Sequence, residues 1–376
     1  MKAVHSWAVF LCAIPYNASS LDLLRKMTDT TLRFPAEWEP QDAILIAWPT
    51  EETDWADRLG EVEETYIALV SAIVRFQPVL IVVSDDDVES YAQARLSSNR
   101  VDMSRVHFIT APYDDTWCRD TGPITLRDGS SFKTLDFRFT GWGGKFGASQ
   151  DDLLVQRLSE QGVLNQASLD SIDFALEGGA IETDGEGTLL STWTCLETRH
   201  PDKSREEVTA LLTDKLVQDR VLWLDNGYLE GDDTDAHIDT LARFASPTSI
   251  IYQSCDDPND THFEPLNKMA EELAAFRTKD GKPYTLHALP WAAPVMDEGR
   301  RLAASYANFL IVNDAVLMPA YGDAKDNEAA KVMQEAFPDH GIVQINCRPL
   351  IWQNGSLHCI TMQMPEGSVN TKVIEA

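Results

Sequence analysis

Short apolar runs rich in β-branched residues recur along this chain, and amphipathic helical stretches lie between them. No other feature limits the fold as much. The runs are Ala43–Trp48, Val79–Val83, Val106–Ile109, Val221–Leu224, Ile250–Tyr252, Phe309–Val312, Ala315–Met318 and Val343–Ile345, each short enough to be a buried strand. Helical periodicity appears at about 61–75, 151–161, 204–217, 264–277 and 326–336. In the third of these, Ser204 and Glu207 form a capping box, and Val208, Leu211, Leu212 and Leu216 share one face. Five helices among strand clusters over residues 34–364 divide 331 residues into units of about 66. This predicts an α/β chain of repeated strand-helix-strand units. A doubly wound sheet is the alternative, but no GxGxxG loop or P-loop joins a strand to a helix. No Pro/Ser/Gly-rich linker divides the chain. The expected organisation is therefore one catalytic domain at 31–368, an N-terminal extension at 1–30 and a C-terminal tail at 369–376.

The formal charge is −29, from 31 Lys+Arg against 60 Asp+Glu, and this excludes nucleic-acid binding through a broad basic face. With 44% hydrophobic residues the chain has material for a large core, so disorder is excluded for most of its length. Residues 7–15 (WAVFLCAIP) form an apolar run too short to span a bilayer, with a single preceding Lys and no clear cleavage site. We read residues 1–26 as an upstream extension from a misassigned start, with Met27 beginning a new polar segment, and not as a secretory signal. The six cysteines, Cys12, Cys118, Cys195, Cys255, Cys347 and Cys359, contain no CxxC pair. That spacing suits neither a zinc site nor a disulfide scaffold, and a cytoplasmic, reducing location is expected.

Four segments set ionisable residues beside glycine within apolar surroundings: 114–123 (DDTWCRDTGP), 176–181 (LEGGAI), 231–240 (GDDTDAHIDT) and 354–361 (NGSLHCIT). Acids beside Gly and Pro commonly make turns and caps, so each segment alone is weak. Together they supply a thiol at Cys359, an imidazole at His237 and carboxylates at Asp120, Glu177 and Asp239. Cys359 follows an Asn-Gly turn and is expected at a strand edge facing a cleft. If residues 237–239 are extended, His237 and Asp239 share one face. A pocket rich in carboxylates raises the pKa of a thiol and repels anions, which suits ester or peptide hydrolysis badly. It suits a guanidinium, whose five N–H donors are matched by carboxylates and whose charge offsets their field at sulfur. Cys359 could then attack the guanidinium carbon, with His237 moving protons.

In this order the segments resemble the agmatine deiminase/bacterial peptidylarginine deiminase family of guanidine-modifying proteins. The resemblance rests on residues 34–40 (FPAEWEP), Trp117-x-Arg119-Asp120-x-Gly122-Pro123, Glu177-Gly178-Gly179, Asp184-Gly185-x-Gly187-Thr188, Asp233-Thr234-x-x-His237-Ile238-Asp239 and His358-Cys359-Ile360-Thr361. It implies a five-bladed α/β propeller, the pentein fold, in agreement with the five units. It also implies that Cys359 is the nucleophile that forms an amidino intermediate, and His237 the general acid/base. Asp120 and Asp239 become the guanidinium-binding carboxylates, and Glu177 orients or balances His237. No metal and no organic cofactor is implied, and the expected partner is a small cationic guanidino substrate, with no nucleic acid and no membrane. Sheet edges could pair two copies into a homodimer.

The chain departs from agmatine deiminases at Asn354-Gly355-Ser356-Leu357, where they carry a Gly-rich run and Asn-Ile, and at Asp235-Ala236, where they carry Asn-Gly. Trp117, Asp115 and Asp235 are candidates to read the distal end of the substrate. The best single expectation is hydrolysis of agmatine to N-carbamoylputrescine and ammonia. The alternatives are deimination of arginine or peptidyl-arginine, amidinotransfer, a non-catalytic binder of polyamines or cationic peptides, and a cysteine hydrolase of esters or amides.

Overall fold

A computed structural model describes residues 32–375, and the expected extension at 1–30 lies outside the described residues. The strands assemble into five sheets of one recurring connectivity, plus a small hairpin of Met296–Asp297 with Arg300–Arg301. In blade II, Ile124–Asp128 pairs antiparallel with Ser131–Arg138, which pairs parallel with Ser168–Ala175. Blades III, IV and V repeat this with strands Ile181–Thr183, Thr188–Thr192 and Arg220–Leu224, then Ala242–Ser246, Ser249–Gln253 and Thr285–Leu289, then Leu310–Val312, Ala315–Ala320 and Gly341–Asn346. Blade I is built from both ends of the chain. Met362–Pro365 pairs antiparallel with Gln41–Ala47, which is parallel to Val79–Val83 and so to Val106–Thr110. The C-terminal strand thus closes the ring on the first blade, giving the five-bladed α/β propeller, or pentein.

Parallel neighbours need a crossover, and in each blade a helix supplies it. The five helices are Leu59–Ile73, Leu154–Glu160, Arg205–Lys215, Phe263–Ala275 and Asp326–Ala336, one for each stretch of helical periodicity in the sequence. The capping box forms: Ser204 Oγ accepts from Glu207 N at 3.2 Å and Glu207 Oε2 accepts from Ser204 N at 2.8 Å. A cap of this kind is worth about 1 kcal/mol. Helix Asp86–Ser98 is an addition that carries blade I to its fourth strand. It buries only Ala92 and Leu96, and is fixed instead by Asp85, whose carboxylate accepts from Asp87 N and Val88 N.

Residues 369–374, expected within a tail, pack onto blade I and the adjoining segment. Val369 is buried, Asn370 N donates to Val163 O at 2.8 Å, and Thr371–Ile374 is a short helix. Cys118, Cys195, Cys255, Cys347 and Cys359 are free and buried. Among the described residues no helix is long and apolar enough to cross a membrane.

Candidate active site

Each blade opens with a segment that delivers polar side chains just before its leading strand. Asp120 sits in the turn Cys118–Thr121 ahead of Ile124–Asp128, and Glu177-Gly178-Gly179 lies ahead of Ile181–Thr183. His237 and Asp239 flank the start of the single turn Ile238–Thr240, ahead of Ala242–Ser246. Asn308 precedes Leu310–Val312, and His358 and Cys359 occupy a turn before Met362–Pro365. Two local expectations are corrected. Cys359 lies in a turn and not at a strand edge, and residues 237–239 bend into a 3-10 turn and are not extended. The bend still turns both side chains inward, because it points the start of blade IV at the same centre as the other blades.

Gly179 reports how tightly that centre is packed. A Cβ there would stand 2.6 Å from His237 Nδ1, 2.8 Å from Asp120 Oδ1 and 3.2 Å from Asp239 Oδ2. Asp120 is held at both oxygens, accepting from Gly179 N at 2.9 Å and from Trp142 Nε1 at 2.8 Å. Trp142 makes that bond from a left-handed backbone (φ 54°), a conformation costly for a bulky residue and characteristic of functional sites. His237 is fully buried with Nδ1 3.8 Å from Asp120 and Nε2 3.7 Å from Glu177, and neither nitrogen has a hydrogen-bond partner. Asp239 Oδ2 lies 2.8 Å from His358 Nδ1, and Asp239 Oδ1 has no partner. Cys359 Sγ lies 3.6 Å from that same Oδ2, and Asn308 Nδ2 donates to the sulfur at 3.2 Å.

Charge follows from these contacts. Burial disfavours the His237 imidazolium, but the carboxylate of Asp120, with Cys195 and Glu177, outweighs it and holds the pKa well above its ordinary value. Burial, reinforced by Asp239 and Glu177, lifts Asp120 to about 6 against the pull of His237. Asp239 stays below its usual range because His358, His237 and Arg243 overcome its burial. Cys359 is pushed well up by burial and then by the carboxylates of Asp239 and Asp120, so its sulfur carries a proton.

A second layer fixes the first. Arg199 Nε donates to Glu177 Oε1 at 2.7 Å, its Nη1 to Asp235 at 2.6 Å and its Nη2 to Thr234 O at 3.0 Å. Asp235, expected to read the substrate, is therefore occupied by Arg199 and by Lys145 Nζ at 2.7 Å, and it is Asp233 and Thr234 that line the cavity. Behind Asp239, His358 meets Glu37, which is gripped by Arg119 at 3.0 Å, by Gln363 at 2.8 Å and by Arg243. Glu177, Cys195 and His237 place donor atoms within 4.8 Å of one another, the one such group among the described residues that could hold a metal ion. The Arg199 guanidinium beside Glu177 opposes a cation there.

Cys359 and Asp120 open onto a cavity of about 200 Å³ that is also lined by Trp117, Trp142 and Phe146 and by Asp54, Asp114, Asp115, Asp151 and Asp233. Among the described residues no Lys or Arg lines it. Asp115 both lines the cavity and locks Trp117, accepting its Nε1 at 3.0 Å. The sequence reading left out Asn308, Trp142, Arg199 and most of these acids. Asn308 was findable, as a lone polar residue entering the run Phe309–Val312, and so was Trp142, within Gly141-Trp142-Gly143-Gly144.

Five blades with polar turns converging on a cysteine, a histidine and three carboxylates define a guanidine-modifying pentein. Residues 33–365 match the model of the Porphyromonas-type peptidyl-arginine deiminase family, and the chain belongs to that family. Agmatine deiminase of Stutzerimonas stutzeri is 33% identical over 357 residues, spanning 88% of this chain and 95% of that protein. The structure of C. Jejuni agmatine deiminase with substrate bound has a TM-score of 0.82 and 34% identity over 90% of this chain and 97% of that one. A proposed arginine deiminase from Porphyromonas gingivalis superposes with a TM-score of 0.84 at 44% identity, over 90% of this chain and all of that one.

Proposed function

We propose that this protein is an agmatine deiminase, hydrolysing agmatine to N-carbamoylputrescine and ammonia. The observation that carries this reading is the cavity. It offers a guanidinium the carboxylate of Asp120 beside the Cys359 thiol, whose sulfur lies 3.6 Å from Asp239 Oδ2 while Asp239 Oδ1 is unpartnered, and it presents five further aspartates to the rest of the molecule. The distal ammonium of agmatine finds counter-charges there, whereas the α-carboxylate of free arginine finds only like charge. Among the three expected readers of the distal end, Trp117 and Asp115 fill that role from the cavity wall, with Asp233 in place of Asp235.

In the mechanism, Asp120 and Asp239 hold the guanidinium with its carbon at Cys359 Sγ. The bound cation relieves the negative field that keeps the sulfur protonated, so the nucleophile is activated by its own substrate. Sγ attacks as its S–H proton moves to the Asp239 carboxylate 3.6 Å away, His237 gives its proton to the departing nitrogen, and ammonia leaves an amidino group on Cys359. His237, now neutral, takes a proton from water as it adds, and collapse frees the ureido product, returns the thiol proton to sulfur and releases the hydroxyl proton to solvent. Glu177, tied down by Arg199, keeps the ring in place and favours its charged form. The agmatine deiminase names of the relatives support the same reaction.

The test is to incubate the protein with agmatine, with free arginine and with a peptide containing internal arginine, measuring ureido product and ammonia. Cys359→Ala serves as the control. Product from agmatine is expected, with arginine slower by about 100-fold from like-charge cost in the cavity. Turnover of arginine or peptide in preference to agmatine would overturn the substrate, and no ureido product from any of them would overturn the chemistry.

A further inference from the structure

The reaction above uses His237 but not the second buried histidine, His358, which sits beside the nucleophile with carboxylates at both ring nitrogens. Its Nδ1 is 2.8 Å from Asp239 Oδ2, and its Nε2 is 3.0 and 3.1 Å from the two oxygens of Glu37. A neutral imidazole has one N–H, so it can satisfy only one of two carboxylates. With the proton on Nε2, facing both oxygens of Glu37, Nδ1 is a bare acceptor pressed against an acceptor. One added proton would complete the network. The nearest labile proton is that of the Cys359 thiol, whose sulfur is 3.6 Å from the Asp239 oxygen that His358 touches.

We infer that Asp239, His358 and Glu37 form a proton relay that takes the thiol proton of Cys359 when sulfur attacks and returns it when the product leaves. The inference rests on the deiminase reading given above. As the C–S bond forms, the S–H bond breaks and the proton passes over Asp239 Oδ2 to His358 Nδ1. The ring then donates to Asp239 on one side and to Glu37 on the other. His237 protonates the departing nitrogen, the C–N bond breaks and ammonia leaves. Water adds to the amidino carbon and gives one proton back to His237. When the C–S bond breaks, the parked proton returns to sulfur, and the remaining hydroxyl proton is released to solvent, where it converts the ammonia already freed to ammonium, so the cycle balances.

The surroundings suit a temporary store. Burial, with the guanidinium groups of Arg119 and Arg243, holds the His358 pKa below its ordinary value, so the resting ring is neutral and able to accept. Glu37 stays ionised because Arg243 and Arg119, with the hydrogen bond from His358, outweigh its burial. The charged groups facing His358 are thus Asp239, Glu37, Arg119 and Arg243, and they arrive from the blade IV entry, the N-terminal segment, the blade II entry and blade IV itself. His358 and Glu37 are positioning residues in this scheme, acting on the substrate only through Asp239 and Cys359.

The experiment compares wild type, Glu37→Gln and His358→Gln with agmatine across pH, alongside circular dichroism to confirm folding. Wild-type product formation tests the parent reading separately. For a folded variant the relay requires kcat to fall by about 100-fold near neutrality. KM should stay within about threefold. The deficit should shrink as pH rises, because hydroxide replaces the lost acceptor. A deficit equal at every pH, or a loss expressed in KM alone, would assign the pair to structure and overturn the relay. If one variant unfolds, the other decides, and unfolding of both would likewise overturn it.

Discussion

Gly179 offers the sharpest test of the site because one methyl group is aimed at three of its members. The backbone at Gly179 lies outside the left-handed region, so alanine meets no conformational barrier there and the only obstacle is space. Ordinary contact for a Cβ begins at 3.4 Å, and the nearest atoms stand at 2.6 Å for His237 and 2.8 Å for Asp120, so these groups must retreat by about 0.8 and 0.6 Å. Neither is free to do so cheaply. His237 is fully buried, and Asp120 is clamped by Trp142 and by the amide of Gly179 itself. Overpacking of this kind costs about 1–3 kcal/mol of stability. Misplacing catalytic groups by approaching 1 Å costs about 100-fold in rate. Gly179→Ala should therefore remain folded with a modestly lower Tm and lose about 100-fold in kcat/KM for agmatine. Gly60→Ala is the control: Gly60 lies exposed in helix Leu59–Ile73, with nothing within 4 Å of the added carbon. It should keep full activity and gain up to about 1 kcal/mol of stability from the helical glycine removed. A Gly179→Ala enzyme within about threefold of wild type would refute the claim that His237, Asp120 and Asp239 are held against this backbone.

Two further outcomes follow from the charges. Arg199→Met removes the guanidinium hydrogen-bonded to the fully buried carboxylate of Glu177 and leaves it only His237 at 3.7 Å, while Asp235 keeps Lys145. Urea unfolding should show a loss of about 3–5 kcal/mol, the usual cost of breaking a buried pair by removing one partner. Adding Glu177→Gln should recover part of that loss, since a neutral amide no longer needs a counter-ion. A single-variant loss below about 1 kcal/mol would mean the pair is solvated. The second outcome concerns pH. Burial, then Asp54 and Asp151, lift Asp115 to about 7, and burial, then Asp114, lifts Asp151 to about 7. Both carboxyls gain charge between pH 6 and 8 while agmatine remains a dication throughout, so its KM should fall by about three- to tenfold over that range. The double variant Asp115→Asn, Asp151→Asn should reduce the dependence to the part below about pH 7 that comes from Asp120. A flat wild-type profile would show that these acids do not sense the bound cation.

What the sequence made legible depended on how local the signal was. The five crossover helices were readable because each must turn one apolar face to its sheet, which writes a 3.6-residue period into the chain. Strands buried on both faces were readable as continuous apolar runs, Val79–Val83 to the residue. Strands such as Ser131–Arg138 and Ser168–Ala175 alternate or expose one face, and a search for unbroken apolar runs passes over them. Cys359, His237, Asp120, Glu177 and Asp239 stood out because polar residues near glycine interrupt apolar surroundings at four of the blade entries. No glycine flanks Asn308 at the fifth entry, where only its place as a lone polar residue ahead of Leu310–Val312 marks it. Glu37 is different. Its contact with His358 spans 321 residues and exists only because the last strand closes onto the first blade. No local pattern can reveal such a pair, and yet closure itself explains it. Closure sets Met362–Pro365 antiparallel beside Gln41–Ala47, and the segment ahead of Gln41 then brings Glu37 to His358, Gln363 and Arg119. Charged groups there can survive burial only by pairing with one another, as Glu37 does with His358, Arg119 and Arg243. Ring closure and the chemistry at its centre are therefore coupled: a change that loosens the Met362–Pro365 strand should disturb Cys359 and its proton partners before it disturbs any other blade.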